Sequence, residues 1–271
     1  MDYGYLLRYV ERMRYRASRG GIRVEISVST PINHNQIVAY RKVPAEFKIS
    51  ADGGRMVFRG MLSKRGILRL DREFAVCPAP WSLKDTHFGS VDDYPADVVE
   101  KYKVGTRQWP IDSDLLRTVG SEAWFSEKDI RKWIENAFAF LWNSIKPERL
   151  NERLGAVKAL SSGMGDCDEF TDVFVTLARM RGIPARRLTG IYFSENPENH
   201  AWAEVLLPSG IWITADAALR ILGRAAPEYI TFKIEEFNDE IPDLQVRWKG
   251  GALEYEIEGG ESEVERIKCF Q

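Results

Sequence analysis

Cysteine is scarce in this chain, and its spacing suggests no shared structural role. Three cysteines occur among 271 residues, at positions 77, 167 and 269, and no C-x-x-C pair is present. So small and odd a number, widely spaced, indicates neither a disulfide framework nor a zinc cluster. We therefore expect no metal site, and we interpret Cys77 and Cys269 as structural residues. Cys167 is the cysteine whose surroundings suggest chemistry.

Long apolar runs and an excess of charge are also missing. No segment approaches the roughly 18 apolar residues of a membrane span, and the first residues, MDYGYLLRYVERMR, lack the apolar core of a signal peptide. A formal net charge of -2 favours neither nucleic acid nor an anionic membrane as a partner. We expect a cytoplasmic protein that binds neither. Sparse asparagine and glutamine beside many charges are weakly typical of a thermophile.

The first third of the chain has the pattern of a β domain that follows a short helix. Residues 3–16 place Leu6, Leu7, Val10 and Met13 on one side of a predicted helix. Apolar and polar residues then alternate over 22–29 and 43–49, with a hairpin turn predicted at 51–54. The pattern predicts an N-terminal domain over 1–85, with a small antiparallel sandwich or barrel that serves as a scaffold or docking surface.

The rest of the chain is predicted to be helical first and then rich in strands. After a connecting segment, 86–120, a capping box of Ser126 and Asp129 predicts a helix that Pro147 ends. A second helix is predicted in PERLNERLGAVKAL, and at least five strand-like segments follow residue 199. The order of β, then α, then β indicates an α+β fold, with residues 121–271 as the second domain.

Cys167 is predicted to lie in the first turn of a helix. Phe170, Val173, Phe174 and Leu177 follow helical spacing, and a glycine and a proline supply the stop. Free N–H groups and the positive end of the helix dipole stabilise a thiolate there, and they can help to hold an oxyanion. A lone cysteine is nevertheless most often a small buried hydrophobe. Gly165 would let the backbone of a substrate come close.

Acidic residues crowd this cysteine and oppose a thiolate. They are Asp166, Asp168, Glu169 and Asp172. Their expected role is to satisfy the helix start, although a divalent cation is an open alternative that matches no calcium loop. The helix alone is therefore not expected to activate Cys167, and a cationic histidine would be needed.

A predicted hairpin supplies that histidine. In NHAWAEVLLPSGIWITADAA two strand patterns flank a Pro-Ser-Gly turn. If Leu207 pairs with Ile211, then His200 and Asp216 become diagonal neighbours on one face, roughly 7–8 Å apart at Cα. This register predicts a Cys-His-Asp arrangement in which Asp216 orients the imidazole of His200.

At these residues the chain resembles the transglutaminase-like superfamily of papain-type cysteine enzymes. The pieces that carry the resemblance are GMGDCDEF, LARMRGIPARRLTG, the hairpin sequence and the helix before them, in the family's order. The close resemblance covers about 125–220. It implies a core in which the helix that bears Cys167 packs on an antiparallel sheet that bears His200 and Asp216, with these three residues as a triad that forms a thioester.

The resemblance also implies what the protein acts on. It implies acyl transfer on the amide or peptide bonds of a protein or peptide substrate, as a protease, amidase or transglutaminase, and it requires no cofactor. Trp142 and Asn143 are candidates for an oxyanion-hole side chain, and Trp202 is expected to pack around the histidine. Removal of N-glycans is less favoured, because the paired C-x-x-C motifs of many glycanase members are missing. A catalytically degenerate protein-binding module is the alternative, supported by the sizeable β region.

Overall fold

The computed structural model describes residues 3–51, 53–79, 86–193, 197–223, 228–237 and 241–269, and for 260 and 261 it describes the backbone alone. The strands of this part are β1 (Tyr3–Ala17), β2 (Ile22–Ser29), β3 (Gln36–Lys42), β4 (Phe47–Ile49), β5 (Arg55–Leu62), β6 (Arg65–Arg69), β7 (Arg72–Pro78), β8 (Lys146–Pro147), β9 (Met164–Gly165), β10 (Ala185–Phe193), β11 (Pro197–Leu206), β12 (Trp212–Asp216), β13 (Ile221–Leu222), β14 (Tyr229–Glu235), β15 (Leu244–Lys249) and β16 (Leu253–Lys268). The α-helices are α1 (Ala96–Tyr102), α2 (Asp114–Gly120), α3 (Ile130–Ser144), α4 (Ala156–Ser162) and α5 (Cys167–Arg181), and 3-10 turns cover Val91–Asp93 and Ala123–Ser126. The fold is α+β, as predicted.

The two ends of the chain form a sandwich of two antiparallel sheets. In the described part of the chain, one sheet has the order β16-β1-β7-β3, with β6 also paired to β1, and the other has the order β15-β2-β5-β4. The period-two pattern of β2 turns Ile22, Val24 and Ile26 inward, where they are buried with Met13 of β1 and Met56 of β5. The predicted N-terminal β region is therefore a sandwich.

The helix predicted over residues 3–16 is wrong, because this segment is the long strand β1. Its odd-numbered residues share one face, with Leu7 and Met13 fully buried. β1 pairs with β16 from Tyr3 opposite Lys268 to Ala17 opposite Leu253, and with β6 and β7 on its other side. Pairing with partners so distant in sequence outweighs the local helical spacing.

The last two strands belong to the sandwich sheets. β15 pairs with β2, and β16 pairs with β1. The predicted division placed these two strands in the second domain, 121–271, together with Cys167. The strand pairing differs from that division, because both strands pair with strands of the N-terminal region. A disulfide joins Cys77, at the end of β7, to Cys269, just after β16, with a Cα–Cα distance of 5.6 Å. The expectation that these cysteines do not form a disulfide is therefore wrong.

In the middle of the chain, α5 packs against an antiparallel sheet, which in the described residues has the order β13-β12-β11-β10-β14. The core between them contains Phe170, Val173 and Phe174 of α5, with Ala203 and Val205 of β11, all of them buried. The N-cap of α3 is Asp129, three residues after the predicted N-cap Ser126. The Asp129 side chain accepts from the N–H of Lys132 at 2.9 Å. Of the second predicted helix, 147–160, only the end lies in a helix, α4.

The sandwich and this central sheet pack directly on each other. Leu7 and Phe74 of the sandwich are buried against Ile191 and Ile230 of the central sheet. The ring of Tyr5 on β1 also stacks on Phe193 of β10, with centroids 3.8 Å apart. None of the helices in the described ranges is long and apolar enough to cross a membrane.

Candidate active site

Cys167 is the first residue of α5. Its predecessor, Asp166, is the N-cap and forms a capping box with Glu169, in which each side chain accepts from the other's backbone N–H. Asp166 also accepts from the N–H of Asp168 at 3.0 Å, and the N–H of Phe170 bonds to the Asp166 carbonyl at 3.1 Å. Of the four N–H groups at the helix start, that of Cys167 alone has no acceptor among the described residues. This free donor lies beside the sulfur.

The predicted hairpin register is the one that the structure contains. Ala203 pairs with Ala215, Leu206 pairs with Trp212, and the N–H of Leu207 bonds to the carbonyl of Ile211 at 2.8 Å. His200 Nε2 therefore reaches Asp216 Oδ2 at 2.7 Å. Because a carboxylate only accepts, Nε2 carries the proton toward Asp216, and Nδ1 is the ring nitrogen left for another partner.

Cys167 is the second group that acts on His200. Burial disfavours the imidazolium of His200, but hydrogen bonds to Asp216 and Cys167 outweigh it and raise the pKa of His200 to about 9. The imidazolium therefore persists through neutral pH. Its contribution to stability is fully present below the ordinary value near 6.5 and is lost as the pH rises through about 9. Cys167 itself is partly exposed.

Tyr229 is a fourth member of this group that the sequence did not reveal. Its hydroxyl donates to Asp216 Oδ2 at 2.7 Å, on the same oxygen that binds His200. The Tyr229 ring lies 4.9 Å from the ring of Trp202, centroid to centroid, and Trp202 stacks on His200. The expectation that Trp202 packs around the histidine agrees with this geometry. Burial and the negative charge of Asp216 raise the pKa of Tyr229, so the hydroxyl remains a donor.

The acidic residues near Cys167 hold a loop against the helix start. Asp166 accepts from the N–H of Leu150 at 3.1 Å, and Glu169 accepts from the N–H of Leu154 at 2.7 Å. Two N–H groups of segment 148–155 therefore bond to these carboxylates, and the segment does not form the predicted helix. Burial raises the pKa of Glu169 to about 7.

Arginines neutralise the other two carboxylates of this cluster. Arg153 binds Asp172 through Nε at 2.7 Å, and Arg187 pairs with Asp168. Trp109 adds a hydrogen bond to Asp172 at 2.7 Å. Within the described residues, no group of histidine, cysteine and carboxylate side chains is arranged to hold a metal ion. The carboxylates that opposed a thiolate in the sequence are thus largely compensated.

A cleft of about 630 Å³ opens at Cys167 and His200. One wall comes from the central sheet and includes Thr189 and Asn199, and the opposite wall comes from the sandwich and includes Tyr9 and Arg72. A smaller cavity of about 270 Å³ adjoins it, since both are lined by Tyr9, Glu11, Ile191 and Asn199. The sandwich is therefore more than a remote scaffold, because it contributes residues to the cleft lining.

The predicted oxyanion and cleft residues do not line this cleft. The indole N–H of Trp142 donates to the carbonyl of Ala217 at 2.8 Å, which leaves Trp142 without a donor for an oxyanion. Asn143 is exposed and lines neither cavity. Gly165 serves packing, because a Cβ there would lie 2.4 Å from the Cβ of Glu169. These three candidate roles are therefore not supported by the geometry.

The remaining two histidines differ from each other. His34 reaches from the sandwich to Glu204 of β11, with Nε2 2.7 Å from Oε1. Glu204 is buried and also accepts from Arg186 at 2.7 Å, and both contacts lower its pKa against the opposing effect of burial. His87 is exposed and lines neither cavity. His34 thus braces the triad hairpin and does not take part in the cleft.

Comparison with known proteins agrees with this geometry. Residues 113–217 match the model of the transglutaminase-like superfamily. The match includes Cys167, His200 and Asp216. A search of curated proteins found no match.

Solved structures extend the likeness beyond the matched segment. A protein from Cytophaga hutchinsonii, described as a proposed cysteine protease, is 14% identical with a TM-score of 0.61, and the alignment covers 100% of this chain and 92% of that one. It shares the fold over the whole length, sandwich included. The periplasmic domain of TgpA from Pseudomonas aeruginosa is 12% identical over 72% of this chain and 70% of its own, with a TM-score of 0.41, which is too low to support an argument.

Proposed function

We propose that this protein is a cysteine-dependent enzyme that transfers acyl groups from amide or peptide bonds, as a protease, amidase or transglutaminase. The observations that carry the proposal are the 2.7 Å hydrogen bond between His200 and Asp216 and the presence of Cys167 and His200 together in the lining of an open cleft, where the two interact. A nucleophile, a base and a group that orients the base are the parts that thiol acyl transfer needs.

The residues divide the reaction as follows. The Cys167 sulfur, as a thiolate, attacks the amide carbonyl carbon, and the carbonyl oxygen becomes an oxyanion that the Cys167 N–H binds. The His200 imidazolium then gives its proton to the leaving amine as the C–N bond breaks, which leaves a thioester. Neutral His200 next takes a proton from water or from a second amine as it attacks the thioester carbonyl. The C–S bond then breaks, the acyl group leaves as a carboxylic acid or a new amide, and Cys167 returns as a thiolate beside the imidazolium. Asp216 holds the imidazole in the required tautomer throughout.

The degenerate binding module is supported less well. It would be favoured by a Cys167 that is buried or out of reach of His200, and here Cys167 is partly exposed and interacts with the imidazole. The sandwich, which was the reason to consider a module, forms a wall of the cleft and so has a place in substrate binding.

The test is turnover of unstructured peptides by wild type and Cys167→Ala, with products followed by mass spectrometry. We expect thiol-dependent release of an amine or of a new carboxyl terminus in wild type and at least a thousandfold loss in the variant. Circular dichroism should show an unchanged fold, since Cys167 lies at the surface of a helix start. Undiminished turnover in Cys167→Ala would contradict the proposal. Added primary amine would separate transfer from hydrolysis.

A further inference from the structure

The loop over residues 148–155 brings an arginine to the cleft beside the nucleophile. The N–H of Glu148 bonds to the carbonyl of Gly165 at 2.9 Å, and the N–H of Leu150 bonds to Asp166 at 3.1 Å. These two bonds bracket Arg149 and fix its backbone along the two residues that precede Cys167. Arg149 lines the same cleft as Cys167 and is exposed there.

Among the described residues that line the cleft, Arg149 differs from the other cations because no ion pair holds it. The other pairs are Arg72 with Glu11, Arg153 with Asp172, Arg187 with Asp168 and Glu235, and Lys233 with Asp243. Within each of these pairs the positive and negative charges offset each other. Within the described residues, no carboxylate lies within ion-pair distance of Arg149. Arg149 is thus a guanidinium of the described cleft lining that no carboxylate pairs with, and the carboxylate of Asp166, which also lines the cleft, is held by backbone N–H groups.

We propose that Arg149 binds a carboxylate of the substrate close to the amide that Cys167 attacks, an inference that rests on the proposed function. A guanidinium presents two parallel N–H donors that match the two oxygens of a carboxylate, which makes arginine selective for this group. The substrate class is thus a peptide with an acidic side chain or a free terminal carboxylate beside the attacked bond. Arg149 is a specificity-determining residue in this account.

Arg149 has a second conceivable effect, which is to promote the thiolate of Cys167 by its positive charge. The two effects differ in what they do to reagents of different charge. Recognition of a carboxylate speeds the reaction with an anionic reagent only. Promotion of the thiolate speeds the reaction with every alkylating reagent by the same factor.

Alkylation of Cys167 by iodoacetate and by neutral iodoacetamide separates these effects without any substrate. In Arg149→Gln we expect iodoacetate to react roughly two- to fivefold more slowly than in wild type, the range of an exposed ion pair, while the iodoacetamide rate stays the same. Arg16→Gln, an exposed arginine of β1 that lines neither cavity, should change neither rate. Equal slowing of both reagents, or of neither, would overturn the proposal.

Peptide substrates then identify the source of the carboxylate. Four peptides would be compared, with glutamate or glutamine beside the attacked bond and with a free or amidated carboxyl terminus. We expect one carboxylate to lower KM in wild type and not in Arg149→Gln, and we expect Arg149→Glu to prefer a lysine peptide instead. Thiol-dependent turnover with no such preference would overturn this inference and leave the proposed function intact. If Arg149 confers the reagent selectivity but no peptide is turned over, the carboxylate-binding role of Arg149 would stand and the proposed function would be contradicted.

Discussion

At the scale of single residues, the site depends on the hydrogen bonds that hold Asp216 in place. Asp216 accepts from His200 and Tyr229 through one oxygen and from the N–H of Leu219 at 3.0 Å through the other. A carboxylate held by three donors stays ionised and fixed, and it orients the imidazole that faces Cys167. Tyr229 therefore belongs to the site together with the three expected residues, because it helps to hold Asp216.

Replacing Tyr229 by phenylalanine tests that extension. Loss of a hydrogen bond to a charged group should lower kcat/KM about tenfold, because Asp216 then holds His200 less firmly. The alkaline limb of the pH profile should also move, since the pKa of His200 depends on Asp216. Tyr94→Phe is a matched control that removes a hydroxyl bonded to the carbonyl of Leu206, away from the site. Equal losses of activity in both variants would contradict a positioning role for Tyr229.

At the scale of elements, the sequence was informative wherever a local pattern decided the structure. The start of α5 follows from helical spacing, and the register of β11 against β12 follows from a short turn. The pattern failed for β1, whose neighbours lie at the far end of the chain, and for segment 148–155, whose N–H groups bond to carboxylates of α5. Tyr229 was missed for the same reason, because β14 reaches the site through a sheet whose order a single sequence does not reveal.

The disulfide between β7 and the end of β16 should stabilise the sandwich strongly. Cys77 and Cys269 are 192 residues apart in sequence, and closing so long a loop is worth on the order of 4–5 kcal/mol in the chain-entropy model. We expect the unreduced native chain to contain one thiol that reacts with Ellman's reagent, that of Cys167. Cys269→Ser should lower the Tm by several degrees and make it insensitive to dithiothreitol. Three reactive thiols in the native chain would contradict the bond.

The same bond bears on the expected cytoplasmic location. Disulfides persist mainly in oxidising compartments and also inside the cells of hyperthermophiles. A cytoplasmic location would therefore require a hyperthermophilic source, and both the location and the source stay predictions.

At the scale of the whole molecule, the chain closes on itself so that both ends build the surface that faces the nucleophile. β1 supplies Tyr9 and Glu11 to the cleft, and β16 supplies Ser262 and Val264 to the adjoining cavity. Composition and local patterns indicated the α+β class and an N-terminal β domain. They did not indicate that residues 244–268 complete this domain, since long-range strand pairing leaves no local signal.

Truncation after residue 243 should therefore unfold more than a tail. It removes β15 and β16, which cover buried residues such as Val24 and Met13, and it exposes their apolar side chains. We expect a truncated chain that is insoluble or digested rapidly by trypsin, whereas full-length Cys269→Ser stays soluble. A soluble truncated chain with the near-ultraviolet circular dichroism of wild type would show that the last strands are dispensable.

The reactive pair of Cys167 and His200 is most directly tested by the rate of alkylation with iodoacetamide between pH 4 and 10, in wild type and in His200→Ala. Because the pKa of His200 is raised to about 9, the imidazolium is present below that value, and its positive charge favours the thiolate form of a neighbouring cysteine. We predict that wild type reacts rapidly at pH 6, whereas His200→Ala reacts only as the pH approaches about 8.5, the reference value of a free thiol. Identical profiles in the two proteins would contradict a working Cys–His pair.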